Sequence, residues 1–117
     1  AVAVFAGGGG LTVRQPAEGT AKKTEQGLVY TVQGPVRAVA DGTVFYKGTR
    51  DDGTPYARLR HGGGYESLYE GILTSVSVGQ ELRAGDIIGS ISQGEQLVFL
   101  FTQNGTAVDL AALASGQ

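Results

Sequence analysis

Residues Val76–Phe101, VSVGQELRAGDIIGSISQGEQLVFLF, carry the strongest structural signal in the chain. Gly79, Gly85 and Gly89 break the first half into short apolar segments, which is typical of tight turns between short strands. The second half, Gln96–Phe101, is apolar at nearly every position. A run of about six residues with β-branched and aromatic members predicts a strand that is buried on both faces.

The composition extends this β interpretation to the whole chain. The 117 residues are 41% hydrophobic and include 20 glycines, which favours one all-β domain of short strands joined by tight turns. We therefore expect two small antiparallel sheets packed over a common core. Its predicted members are Val44, Leu59, Leu68, Ile88, Val98 and Leu100.

Charge and cysteine content exclude several classes of function. The net charge of −2 and the pI of about 5.2 argue against nucleic-acid binding. The chain has no cysteine, so disulfides and thiolate metal sites are excluded. No apolar run approaches the roughly 20 residues that a bilayer span needs. The chain starts at Ala1 and lacks methionine, which suggests a fragment whose membrane anchor, if present, lies outside it.

Turn residues divide the chain into its elements. Four consecutive glycines predict a flexible lead-in over residues 1–10, followed by a single domain over 11–117. Asp41-Gly42 predicts a hairpin between VRAVA and TVFYKG, and residues 51–53 predict a turn into PYARLRH. The one candidate helix is Val108–Ala114.

Four segments together resemble LytM/lysostaphin-type zinc metallopeptidases, a family of peptidoglycan endopeptidases. They are the glycine-punctuated stretch above, PVRAVADGTV at Pro35–Val44, LRHGGGYESLY at Leu59–Tyr69, and the pairs Asn104-Gly105 and Val108-Asp109. The similarity runs over about 80 residues, Gly27–Leu110, without a large gap. It implies the family's small antiparallel two-sheet sandwich, a barrel-sandwich hybrid.

The resemblance also implies that the catalytic residues are missing. The family's H-x-G-x-D motif falls on Lys23–Gly27, so Lys23 and Gly27 replace a histidine and an aspartate that bind zinc. Gln96 and Val98 replace the histidines of H-x-H, and Gly71 replaces the histidine of Y-x-H-L. We therefore predict no zinc, no other cofactor and no peptidase activity.

The remaining histidine, His61, precedes a glycine turn and is not at a metal-binding position of the family. Together with scattered carboxylates such as Asp51, Asp52 and Glu70 it lacks ligands at useful spacing. We therefore predict that His61 has a structural role, hydrogen-bonded at a strand end.

These losses favour a binding domain that acts outside the cytoplasmic membrane. Degenerate relatives include regulators of cell-wall amidases and sporulation proteins, so the expected partner is an extracytoplasmic or membrane protein, or peptidoglycan. Tyrosine combines an apolar ring with a polar tip, and Tyr65 and Tyr69, with Gln96, are the predicted binding surface beside the lost active site.

Two alternatives remain open. One is a zinc-dependent peptidoglycan endopeptidase with a rearranged site. The other is a biotinyl- or lipoyl-like carrier, because V-x-x-G-x-x-L-x-x-G-D-I-I also resembles half of that fold. A carrier needs a lysine at a hairpin tip, and Lys22, Lys23 and Lys47 all lack the expected sequence context.

Overall fold

The computed structural model describes residues 4–6 and 11–108, and within these ranges the chain forms strands and no helix. The all-β prediction is therefore confirmed. No helix in the described part of the chain could cross a membrane. The strands are β1 Val4–Ala6, β2 Leu11–Val13, β3 Lys22–Thr24, β4 Gly27–Tyr30, β5 Gly34–Arg37, β6 Gly42–Thr49, β7 Pro55–Gly62, β8 Tyr65–Glu70, β9 Leu73–Thr74, β10 Glu81–Leu82, β11 Ile87–Ile91, β12 Leu97–Gln103 and β13 Thr106–Ala107.

The strands form one large sheet, one small sheet and a two-stranded ribbon, and all pairs are antiparallel. The large sheet has the order β10-β6-β7-β8-β12-β4-β3, with β13 also paired to β12, and the small sheet has the order β5-β11-β9. The predicted turn at residues 51–53 joins β6 to β7. Gly53 adopts a φ of 91° there, which glycine reaches without steric cost.

The core lies between the large sheet and the small sheet, and one face of each central strand contributes to it. On β12, Leu97, Phe99 and Phe101 are buried, whereas Val98 and Leu100 are only partly buried. The prediction that this strand is buried on both faces is therefore wrong, because only the inner face of the large sheet is covered by other core residues.

The predicted core is correct at three positions and wrong at three. Val44, Leu59 and Ile88 are fully buried, as expected. Leu68, Val98 and Leu100 instead lie on the outer face of the large sheet, where the described chain covers them only in part.

The predicted Asp41-Gly42 hairpin does not form. β5 pairs with β11 in the small sheet, whereas β6 pairs with β7 and β10 in the large sheet. Between them, residues 38–40 are fully buried and cross from one sheet to the other. The Val39 carbonyl accepts a hydrogen bond from Arg14 N at 2.7 Å, and Ala38 N donates to the Asp86 carbonyl at 2.9 Å. The backbone of this crossover is therefore satisfied by distant segments, which turn chemistry alone does not reveal.

The ends of the chain are described only in part. The predicted flexible lead-in contains β1, whose residues 4–6 pair with β2, so these three residues form a strand. The domain boundary after Gly10 stays a prediction. In the predicted helix Val108–Ala114, only Val108 is described, and its amide donates to the Phe101 carbonyl at 2.8 Å. The rest of that segment lies outside the described residues.

Two substitutions on β12 test the assignment of its faces. Leu97→Ala removes a fully buried side chain and should reduce the free energy of unfolding by about 2–5 kcal/mol. Leu100→Ala, on the outer face, should cost less than about 1.5 kcal/mol, because its side chain is already partly solvated. Urea unfolding of both variants measures the difference. Equal losses would contradict a strand with one covered face.

Candidate functional site

A groove runs along the outer face of the large sheet. It consists of two adjoining cavities of about 610 and 500 Å³. The first, the hairpin cavity, lies beside the β6–β7 turn and over Leu68, Leu100 and Thr102. The second, the strand-end cavity, lies over Val29 and Val98 at the start of β12. Arg50, Asp52 and Glu70 line both cavities.

Strand register places the groove floor. Val98 of β12 lies opposite Glu70 on one side and Val29 on the other, and Leu100 lies opposite Leu68. Directly opposed residues project from the same face of a sheet. An apolar floor therefore results from three neighbouring strands, β4, β12 and β8.

The β6–β7 turn supplies charged residues at the rim. Arg50 N donates to the Thr54 carbonyl at 2.8 Å, and Asp52 Oδ1 accepts from Thr54 N at 2.9 Å. The hydrogen bonds from Thr54 lower the pKa of the Asp52 carboxyl. The turn is thus held in shape locally, and Asp52 is ionised at neutral pH.

The predicted degenerate positions divide into two groups in space. Gly71, Gln96 and Val98 line the strand-end cavity together. Lys23 and Gly27 instead line a separate cavity of about 290 Å³ against Leu28 and Phe99 of β4 and β12. Three of the five positions therefore converge on the groove.

These residues do not fit a zinc ion. Zinc sites in proteins use histidine, cysteine or carboxylate ligands, with at least three from the protein. Glycine and valine side chains offer no donor atom, and within residues 4–6 and 11–108 no three histidine, cysteine or acidic side chains form a group able to hold a metal. No chemistry that requires the family's metal can be assigned to the positions present.

Two ion pairs cross the groove instead. The Arg50 guanidinium donates through Nε to Glu70 Oε2, and Glu70 is largely buried, with 11% of its side chain exposed. Arg58 Nη2 donates to Glu66 Oε1 at 2.9 Å nearby. The Arg50–Glu70 pair lies where the two cavities meet. Since Arg50 and Arg58 are each paired with a carboxylate, both positive charges in the groove lining are neutralised within the domain.

Comparison with known proteins identifies the family. No curated protein sequence matches this chain. Residues 21–110 match the model of peptidase family M23. The chain belongs to peptidase family M23. The resemblance to LytM/lysostaphin-type peptidases, drawn from short motifs, is thereby confirmed.

Solved structures show the same fold. An M23 peptidase from Pseudomonas aeruginosa is 23% identical with a TM-score of 0.76, and the match covers 87% of this chain and 49% of that one. Lysostaphin is 23% identical with a TM-score of 0.66 and coverages of 79% and 43%. A chain of the SpoIIQ–SpoIIIAH pore forming complex is 16% identical with a TM-score of 0.68 and coverages of 95% and 80%. The M23 domain thus spans about half the length of the first two relatives or less.

The predicted tyrosine surface is wrong in this M23 domain. Tyr65 is 8% exposed and stacks on Phe101 at a centroid distance of 5.5 Å, and Tyr69 is fully buried against Phe99. Both point from β8 into the core, away from the groove, because they alternate with Leu68 and Glu70. Gln96 is exposed and lines the groove, so its part in binding stays a prediction.

His61 belongs to a polar chain in the core. Its Nδ1 lies 2.9 Å from the Asp41 carbonyl and its Nε2 lies 2.7 Å from Ser67 Oγ. Ser67 Oγ is 3.0 Å from the Tyr69 hydroxyl, which accepts from Val39 N at 3.1 Å. Glu70 and Asp52 lie on the groove side of the sheet, whereas His61 contacts Ser67 on the opposite side. The three side chains therefore cannot bind one metal ion together.

The hydrogen-bond partners determine where the protons lie in this series of polar groups. A carbonyl only accepts, so Nδ1 of His61 carries a proton and the neutral ring accepts at Nε2 from Ser67. Ser67 then accepts from the Tyr69 hydroxyl, which stays protonated because burial raises its pKa. Every polar group in this hydrogen-bond chain has a partner when His61 is neutral.

The lysines of the M23 domain lie in strands. Lys22 and Lys23 belong to β3, and Lys47 belongs to β6 and donates from Nζ to the Val76 carbonyl at 2.9 Å. A carrier domain requires its modified lysine at a hairpin tip. None of these three positions is such a tip.

Sequence reasoning missed most of the groove. Val98 was identified as a lost ligand and assigned to the core, and Leu68 and Leu100 were also assigned to the core. Arg50 was not identified at all, although it lines the hairpin cavity. The sequence of β8, YESLYE, does not separate its two faces by polarity, because the polar Ser67 is buried and the apolar Leu68 lies on the outer face.

Titration of His61 should make stability depend on pH. Burial lowers the pKa of His61 in the folded state, although Asp41 and Glu66 act in the opposite direction. Between the folded pKa and the unfolded value of about 6.5, the unfolded chain binds more protons, so stability falls as pH decreases. Urea unfolding between about pH 7.5 and 5.5 should show this loss.

A His61→Gln variant is the matched control for that experiment. The chain has 1 histidine, so no other side chain has an ordinary pKa in this window. The variant should therefore lose the slope. An identical slope in both proteins would show that His61 is not the titrating group.

Proposed function

We propose that this M23 domain is a non-catalytic binding module that holds a protein partner in the groove, outside the cytoplasmic membrane. The observation that carries the proposal is the strand-end cavity, which is lined by Gly71, Gln96 and Val98, the positions that the motif resemblance aligns with the family's histidines. The floor there is apolar, and the buried charge is an internal ion pair. Such a surface suits contact with another molecule better than activation of a water.

The preserved scaffold supports a binding role. The turns, the strand register and the groove are all present, whereas the described residues include no group of three histidine, cysteine or acidic side chains able to hold a metal. Partly buried leucine and valine side chains on the floor gain free energy when a partner covers them. An inert remnant would have no need for an open groove of this depth.

The fold comparisons favour a protein as the partner. A chain of the SpoIIQ–SpoIIIAH pore forming complex has this fold over 80% of its length. That assembly joins two proteins, and a sporulation or cell-wall remodelling role of the same kind is our proposal for this domain. Peptidoglycan is the competing ligand, because M23 is a peptidase family.

The absence of peptidase chemistry can be tested directly. Purified protein should hold well under about 0.1 zinc per chain after dialysis, because the groove lacks a set of three ligands. It should also release no soluble fragments from purified peptidoglycan. Elemental analysis and a turbidity assay measure the two quantities. Chelator-sensitive hydrolysis would establish the alternative of a zinc endopeptidase with a rearranged site.

A substitution on the groove floor tests the binding role. Val98→Gln places a polar side chain over the strand-end cavity and should reduce capture of the partner from envelope fractions by about tenfold, since apolar anchors dominate interfaces. Val78→Gln is the control, because Val78 is 61% exposed and does not line the groove. Quantitative mass spectrometry after cross-linking gives the captured amounts, and thermal unfolding verifies both folds.

Peptidoglycan sedimentation with the same two variants separates the possible ligands. Binding to peptidoglycan that falls with Val98→Gln would identify cell-wall material as the ligand. Equal capture of every protein by wild type and Val98→Gln would contradict a role for the groove.

A further inference from the structure

We propose that the groove binds an extended protein segment in which basic and apolar side chains alternate. The inference rests on the proposed function and specifies the chemistry of the partner. It follows from two features of the lining, which are its uncompensated negative charge and the spacing of its apolar floor.

The charges that line the groove are unequal in number. Two arginines, Arg50 and Arg58, face five carboxylates, which leaves an excess of three negative charges. Both arginines are paired with groove carboxylates. The carboxylates without an ion pair to any described residue are Asp51, Asp52 and Glu95, and all three are exposed.

Two nearby cations project from the same face of the sheet and offset part of this excess, but they lie outside the groove lining. Lys22 lies opposite Val29 at the sheet edge, and Arg60 lies over the Phe45 ring at 4.1 Å. Neither residue lines either cavity. Among the residues that line the groove, the charges without an ion pair are therefore all carboxylates, and a cationic ligand is favoured there over an anionic one.

The floor is spaced for a β-like segment. Val98 and Leu100 are two residues apart on one strand, which places their side chains roughly 7 Å apart on the same face. An extended segment presents its own alternate side chains at the same interval. Its apolar residues can contact the floor, while the intervening lysines or arginines point away from the floor and can reach Asp51, Asp52 and Glu95 at the rim with their long side chains.

The same charge pattern disfavours the competing ligand. Any free carboxylate of a peptidoglycan stem would approach an acidic rim, whereas a segment whose charged side chains are all basic would meet no like charge there. Like charges in contact destabilise a complex. The groove thus favours a basic protein segment over cell-wall peptide.

Synthetic peptides provide the probes. A short capped peptide of alternating lysine and valine is titrated into ¹⁵N-labelled domain, with an alternating glutamate and valine peptide as its counterpart. The lysine peptide should shift the amide signals of Leu68, Glu70, Val98 and Leu100 in a saturable way at low salt. The glutamate peptide should bind at least about tenfold more weakly, because each charge contact at the rim reverses sign.

Paired charge variants connect the binding to the rim. Asp51→Asn combined with Glu95→Gln should weaken binding of the lysine peptide about three- to tenfold, and the difference should disappear at about 0.5 M salt. Glu18→Gln combined with Glu81→Gln removes the same charge from positions that do not line the groove, and should leave affinity unchanged. Asp52 is retained in both because it accepts from Thr54 N.

Any one of four outcomes overturns the inference. The lysine peptide shows no saturable binding at millimolar concentration, or the amide shifts lie outside the groove. Alternatively, the glutamate peptide binds equally well, or the two charge variants have equal effects. The capture experiment with Val98→Gln uses no change of charge. If that variant loses its partner while the peptides fail, the groove is still the binding site and only the partner's chemistry is wrong.

Discussion

The pleat of β12 is the constraint on which the rest of the domain depends. This strand is paired on both sides, to β8 and to β4, so its register fixes both neighbours. Its odd-numbered residues Leu97, Phe99 and Phe101 enter the core, and Val98 and Leu100 form the groove floor. A slip of one residue would exchange these two sets. Core and candidate site are therefore specified by the same strand.

A hydrogen-bond chain that runs from exposed Asp41 to the buried Tyr69 hydroxyl joins that sheet to the crossover segment. Val39 N, the Tyr69 hydroxyl, Ser67, His61 and the Asp41 carbonyl follow one another within hydrogen-bond distance. The crossover carries the backbone from the small sheet to the large one, and the hydrogen-bond chain holds it at Val39 and at Asp41. Because each polar group finds a partner only with neutral His61, the arrangement is fully satisfied in one protonation state. A residue type associated with catalysis thus serves the architecture here.

The groove is held in shape by strand pairing and by an internal ion pair. Its floor is supported by the pairing of β12 with β4 and β8. The Arg50–Glu70 ion pair occupies the junction of the cavities with an internally balanced charge. A largely buried carboxylate needs such a partner, since an unpaired one would be costly. In the binding role that we propose, the exposed carboxylates of the rim and the apolar floor determine specificity.

The sequence by itself determined the fold class and the family. Glycine positions, turn motifs and short apolar runs are local signals that are visible without coordinates. Only the tertiary structure decided which side chains face the groove. Tyr65 and Leu68 are three residues apart, yet one lies in the core and the other on the floor, because a second sheet covers one face alone. Residues distant in sequence likewise decided that Asp41-Gly42 forms no hairpin. The Arg50–Glu70 contact joins a turn to a strand 20 residues away. Such choices depend on long-range packing, which no local pattern encodes.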